Sequence, residues 1–128
     1  MIRVLLVDDD SLVRKVVVDK LRAEFKFHIT EAGSGNEAIK FLEAGKRFDV
    51  IISDYYMDEG SGADLLRFIY AEKIFALFAL FTGATDLRLP ETNNHFLGVI
   101  EKMKIQDLME LIVMGVCMGG SPQKKKVP

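Results

Sequence analysis

Residues Ile2 to Ser11 read IRVLLVDDDS. Ile2 to Val7 is a β-prone apolar run of the kind that other elements cover on both faces, the mark of a strand inside a parallel sheet. Asp8-Asp9-Asp10-Ser11 then offers acidic and hydroxyl caps for a helix. Leu12, Val13, Val16, Val17 and Leu21 recur behind it at helical spacing, with Arg14, Lys15, Asp19 and Lys20 between them. A buried strand followed at once by an amphipathic helix is the repeating unit of an α/β sandwich.

The same alternation continues outward. A second strand is predicted over Phe27 to Glu31. Gly33-Ser34-Gly35 breaks the chain, and Ala38, Ile39 and Leu42 mark a short helix ending at Gly45. Asp49 to Ser53 reads as a third buried strand that delivers Asp54 at its end. Gly60 to Gly62 is loop, and Leu65, Leu66, Ile69 and Tyr70 form the next helical stripe. Phe75 to Phe81 is a fourth strand ending in Thr82-Gly83, and Leu97 to Ile100 a fifth that runs into Glu101-Lys102. The last helix spans Ile105 to Met118 and stops at Gly119-Gly120. The weak link is Ala84 to Phe96, where apolar periodicity is poor and Pro90 interrupts, so the fourth helix is expected to be short, of one or two turns, or irregular. Phe25, Phe27, Phe41 and Phe48 read as core aromatics. Strands alternating with helices in this way imply a parallel sheet with right-handed crossovers.

A chain of 128 residues suits one domain, read as residues 1–118 with a flexible basic tail over 119–128. A domain of this size buries roughly two-thirds of its unfolded surface and needs no staples. The single cysteine, Cys117, allows no internal disulfide and, with no leader segment evident, leads to the expectation of a cytoplasmic protein. The longest strongly apolar run, Ile74 to Phe81, is far short of the roughly 20 residues of a membrane helix. Setting Lys124, Lys125 and Lys126 aside from the net charge of −2 leaves −5 on the rest of the chain. An acidic body argues against nucleic acid as a direct partner.

Open parallel sheets bind ligands beyond the carboxyl ends of their strands, where strand order reverses. The residues that end the apolar runs are Asp8 and Asp9, Asp54, Thr82 and Lys102. Any one of them alone has an ordinary use as a helix cap or surface charge. Five groups of complementary chemistry on one edge form a candidate site. Three carboxylates in one cleft repel one another and partly protonate if left alone. A divalent cation together with the Lys102 ammonium neutralises them.

These pieces resemble the receiver domains of two-component response regulators, the group that includes the single-domain chemotaxis and sporulation regulators. The resemblance covers Met1 to Cys117. It rests on Leu5-Leu6-Val7-Asp8-Asp9-Asp10, Ile51-Ile52-Ser53-Asp54-Tyr55-Tyr56-Met57, Leu80-Phe81-Thr82-Gly83 and Ile100-Glu101-Lys102. Spacings of 45 residues from Asp9 to Asp54, 28 on to Thr82 and 20 on to Lys102 make the set specific where no single piece is. The resemblance implies a flavodoxin-like three-layer sandwich with strand order 2-1-3-4-5, which sets the first and third strands side by side. It implies phosphorylation of Asp54 and Mg²⁺ held by Asp8, Asp9, Asp54 and the backbone carbonyl of Tyr56. Thr82 and Lys102 would hold phosphoryl oxygens. The donor would be a sensor histidine kinase or a histidine phosphotransfer protein, and the output a protein effector. Beyond phosphorylating and dephosphorylating itself, such a protein is not an enzyme.

Several positions depart from the family pattern. Asp58 replaces the usual proline after Met57, and with Glu59 puts two extra acids at the rim. Val99 stands where an aromatic ring usually swings inward on phosphorylation. Met103 follows the lysine in place of a cis proline. A non-prolyl cis bond costs about 2.5–4 kcal/mol, so the expectation is either a trans bond or a strained cis one. In the last helix Ile105, Leu108, Met109, Ile112 and Val116 supply a core stripe. Leu111, Val113, Met114 and Met118 are apolar beyond that need, which marks a candidate surface for a partner or for homodimerisation.

Three rival readings use the same residues. A haloacid-dehalogenase-type phosphatase would take Asp8 as nucleophile and Asp10 as acid/base, but needs a downstream acidic pair, where only Asp107 and Glu110 remain. A pseudo-receiver would keep the fold as an unphosphorylated binding module. A flavin-binding flavodoxin relative is disfavoured because the acidic first loop repels a cofactor phosphate.

Overall fold

A computed structural model describes residues 1–120. Its elements run β1 (Ile2–Val7), α1 (Ser11–Glu24), β2 (Phe27–Ala32), α2 (Gly35–Glu43), β3 (Val50–Ser53), α3 (Gly62–Ala71), β4 (Leu77–Thr82), β5 (Phe96–Glu101) and α4 (Ile105–Met118). All neighbouring strands are parallel, in the order β2-β1-β3-β4-β5, the order expected. The basic tail expected over 119–128 lies, from residue 121 on, outside the described residues.

The middles of the central strands, Val4 to Val7, Val50 to Ile52 and Leu77 to Phe81, are apolar throughout because both faces are covered. Side chains alternate along a strand, so Leu5, Val7, Ile51, Phe78 and Leu80 pack on one side against Leu42 of α2 and Leu65, Leu66 and Ile69 of α3. Val4, Leu6, Val50, Ile52, Ala79 and Phe81 pack on the other side against Val17, Val18 and Leu21 of α1 and Leu108, Met109 and Ile112 of α4. Three of the four helices open on a side-chain cap. Asp10 accepts from the amides of Leu12 and Val13, Ser34 from that of Glu37, and Ser61 from that of Asp64, whose carboxylate in turn accepts from the Ser61 amide. Such caps satisfy amides that the first turn leaves without partners. The last helix closes on Gly119, whose φ of 74° needs no Cβ-bearing residue to enter the left-handed region.

Two expectations are corrected and two open alternatives are resolved. Of the two forms expected between β4 and β5, the irregular one is found over residues 83–95, because too few apolar positions recur to bury a helical face. The described residues therefore hold four helices. In α1 the buried face is Val17, Val18 and Leu21, while Leu12 is 73% and Val16 43% exposed, so the stripe lies about one residue away from the one expected. Phe25 is exposed, packing edge-on against Phe27 at 5.6 Å between ring centroids. The expected alternative of a cis bond before Met103 is not taken. Among the described residues there are no cis bonds, and Met103 instead adopts φ 73° in a turn closed by the Lys104 amide on the Glu101 carbonyl at 3.0 Å.

Close approach needs glycine at Gly62, where a Cβ would collide with the Asp54 carbonyl oxygen. That contact seats α3 directly beneath the loop that carries Asp54. A left-handed non-glycine residue costs roughly 1–2 kcal/mol, and Met103 is half exposed. Met103→Gly is therefore expected to raise the unfolding free energy by about 1 kcal/mol, read from the midpoint of a urea titration at unchanged slope.

Candidate functional site

The register sets Val7 beside Ser53, so the residues that follow, Asp8 and Asp54, leave adjacent strands together. Carboxylate oxygens of Asp8, Asp9 and Asp54 all lie within 4.8 Å of one another. Asp8 and Asp54 are buried and Asp9 is exposed. Lys102 reaches in from the end of β5. Its Nζ stands 2.6 Å from Asp54 Oδ2 and 2.9 Å from Asp8 Oδ2. The β4–β5 register pairs Thr82 with Glu101, which brings the lysine level with the threonine. Thr82 is buried, and its Oγ1 accepts the Ala84 amide at 3.2 Å. All five side chains singled out at the strand ends thus meet on one edge. Tyr56 is 59% exposed, its hydroxyl donating to Asp86 at 3.2 Å.

The charges do not balance within the chain: three carboxylates face one ammonium. Burial pushes the Asp8 carboxyl above its ordinary value, with the Asp54 charge adding to the push, although the Asp10 amide at 2.9 Å and Lys102 pull the other way. Burial by itself would lower Lys102. Its bonds to Asp54 and Asp8 outweigh that and hold it above its usual value. An oxygen donor set of this kind suits a hard divalent cation such as Mg²⁺, which takes few carboxylates and keeps waters.

Two contributors were not anticipated. Arg14 donates to the Asp8 carbonyl at 2.6 Å and to Glu31 at 3.0 Å, tying the acidic loop to β2. A cation one turn from a helix amino end opposes the helix dipole, and that misfit was the available signal. Tyr55 is the other: its amide donates to Asp54 Oδ1 at 2.7 Å. Asp10, needed as acid/base by a dehalogenase-type phosphatase, spends its carboxylate capping α1.

A doubly wound parallel sheet whose carboxyl edge gathers aspartates, threonine and lysine defines an α/β class with its polar site at the switch point. The family described as response regulator receiver domain matches residues 4–113. The chain belongs to that family, whose members are signalling modules rather than enzymes in the ordinary sense. Two-component response regulator ORR3 of Oryza sativa subsp. indica is 37% identical over 59 residues, 46% of this chain and 45% of that protein. ORR11 of the same subspecies is 39% identical over 64 residues, 50% of this chain and 43% of that protein. The aligned stretches thus span less than half of these relatives. The response regulator TrrA of Thermotoga maritima, solved in complex with Mg²⁺-BeF, superposes with a TM-score of 0.77 at 27% identity, over 89% of this chain and 98% of that one. The receiver domain of the hybrid histidine kinase CckA superposes at 0.70 and 26% identity, over 88% and 95%. No helix among the described residues is long and apolar enough to cross a membrane.

A carboxyl raised in the folded state adds stability below its unfolded value of 3.8 and loses that stability as pH rises through the folded value. In metal-free buffer Asp8→Asn is therefore expected to be more stable than the wild type at neutral pH. The difference should shrink to nothing below the ordinary carboxylate value, as followed by denaturant titrations across pH.

Proposed function

We propose that the chain is a phosphoacceptor: Asp54 takes a phosphoryl group from a phosphohistidine or a small phosphodonor, and the phosphorylated form changes a protein interaction. The observation that carries this reading is the cluster of Asp8, Asp9 and Asp54 oxygens within 4.8 Å, crossed by the Lys102 bridge. In the reaction an Asp54 carboxylate oxygen bonds to phosphorus as the donor's nitrogen–phosphorus or oxygen–phosphorus bond breaks. The donor leaves with the electron pair and takes up a proton. Asp9 and Asp54 would hold Mg²⁺ directly, Asp8 through water, and the Tyr56 carbonyl would complete the protein's share. A bound Mg²⁺ supplies neutralising charge to the transferring phosphoryl, which positioning and electrostatics otherwise govern.

The chain's own groups have separable tasks. Lys102 moves from Asp54 Oδ2 to a phosphoryl oxygen, exchanging one charge-assisted bond for another. The Thr82 hydroxyl proton, with no acceptor among the described residues, donates to a second phosphoryl oxygen. Gly83 leaves the approach open, since nothing lies within 4 Å of where its Cβ would be. Tyr56, lying across the route of a hydrolytic water, shields the acyl phosphate. Mg²⁺ is also the ion in the TrrA complex. The donor would be a sensor histidine kinase or phosphotransfer protein in the cytoplasm. The effector, or a second copy of the chain, would dock on α4, where Met114 and Met118 are exposed and Leu111 and Val113 half-buried.

Incubation with acetyl phosphate and Mg²⁺ is expected to add one phosphoryl group by intact mass, with no gain without Mg²⁺ or in Asp54→Asn. A wild type that folds, binds Mg²⁺ and gains no mass would leave the pseudo-receiver reading in its place.

A further inference from the structure

Every polar atom of Asp8 is engaged. Its amide donates to the Ala32 carbonyl at 3.0 Å, and its carbonyl accepts Arg14 Nη1 at 2.6 Å. Its Oδ1 accepts the Asp10 amide at 2.9 Å, and its Oδ2 faces Lys102 at 2.9 Å. Asp9 is the opposite case. It is exposed, and among the described residues no donor meets its carboxylate, yet one of its oxygens stands within 4.8 Å of those of Asp8 and Asp54. The aim of Asp9 therefore depends on its backbone.

A peptide unit is planar, so the Asp8 carbonyl and the Asp9 amide turn together. The Arg14 bond fixes that plane on one side of Asp9. The Asp10 amide, bonded to Asp8 Oδ1, fixes the next plane on the other side. Arg14 thus holds the Asp9 backbone from outside the acidic run. Its charge works against the task, because a bare guanidinium beside three carboxylates offsets part of the field that draws a cation. Glu31 removes that difficulty by meeting Arg14 Nε at 3.0 Å, with the arginine side chain 20% and the glutamate 47% exposed. The planar fork of arginine suits a carbonyl and a carboxylate lying in different directions.

We infer that Arg14 is a positioning residue for the cation site, and that Glu31 is its neutralising partner. Arg14 sets the Asp8–Asp9 peptide so that the Asp9 carboxylate faces Asp54, and the pair does so at no net charge. The inference rests on the reading that Asp9 holds Mg²⁺ directly. Outer groups that orient a metal ligand are typically worth about 10- to 100-fold in metal affinity.

The test is calorimetric titration of Mg²⁺ into the metal-free chain, at a temperature where urea titration shows each variant folded. The double variant Arg14→Met/Glu31→Gln removes one charge of each sign, so the net charge of the site stands. It is expected to bind Mg²⁺ about tenfold more weakly than the wild type. Arg14→Met alone should also bind more weakly, although by less, since losing a positive charge favours the ion. A folded double variant with wild-type affinity makes Arg14 a structural tie only and overturns the inference. Tighter binding by Arg14→Met shows that charge alone acts, and overturns it equally. Should neither Arg14 variant fold, Glu31→Gln at the surface serves instead, with affinity expected to fall about threefold; an unaltered affinity overturns the pairing. Absence of saturable Mg²⁺ binding by the wild type, or wild-type affinity in Asp9→Asn, sinks the reading of Asp9 as a ligand and the inference with it.

Discussion

Two carboxylates, Asp8 and Asp54, are held out of water at the ends of neighbouring strands with one ammonium between them. Isolated buried charge is costly, and pairing offsets that cost only when the numbers match. Here they do not, and Asp9 adds a third negative group within reach. The edge of the sheet is thus prepared for cations before anything binds. Positive charge delivered there gains more than it would on an open surface, where water and salt screen it.

The rest of the molecule serves to keep those groups from separating. Parallel pairing of β1 with β3 fixes Asp8 beside Asp54 through a register that the two-sided apolar core does not let slip. Gly62 lets α3 press against the Asp54 carbonyl, and Arg14 clamps the Asp8 carbonyl from α1. The Met103 turn aims β5 into α4 while leaving Lys102 pointing across the cleft. Each support acts on backbone rather than on the carboxylates themselves, which leaves the side-chain oxygens available for exchange of partners.

Much of this was legible in the residues. Runs such as Val4 to Val7 and Leu77 to Phe81 admit few structures other than doubly covered strands, and the polar groups ending them fall on one edge by topology. Local pattern could not read what depends on tertiary partners. Leu12 and Val16 fit the helical period yet face outward, since a period does not say which face of a helix meets the sheet. Phe25 fits any core by composition but lies where α1 has already ended. The 84–95 segment was readable as a poor helix, but not as a segment tied to Tyr55, because that contact joins residues 33 apart. Tyr55 reaches the site through its backbone amide, which carries no residue signature, and the guanidinium of Arg14 meets the Asp8 carbonyl, a partner that local pattern does not name.

The central claim is that this edge is held below neutrality and wants a divalent ion. Thermal unfolding of the wild type, titrated with Mg²⁺ against K⁺ at matched ionic strength, tests it most directly, because a ligand that binds only the folded chain stabilises it in a saturable way. A midpoint that rises and saturates with Mg²⁺, is absent with K⁺, and is much reduced in Asp9→Asn is the result the charge count demands. Equal shifts for the two salts, or an Asp9→Asn response the same as wild type, would contradict it.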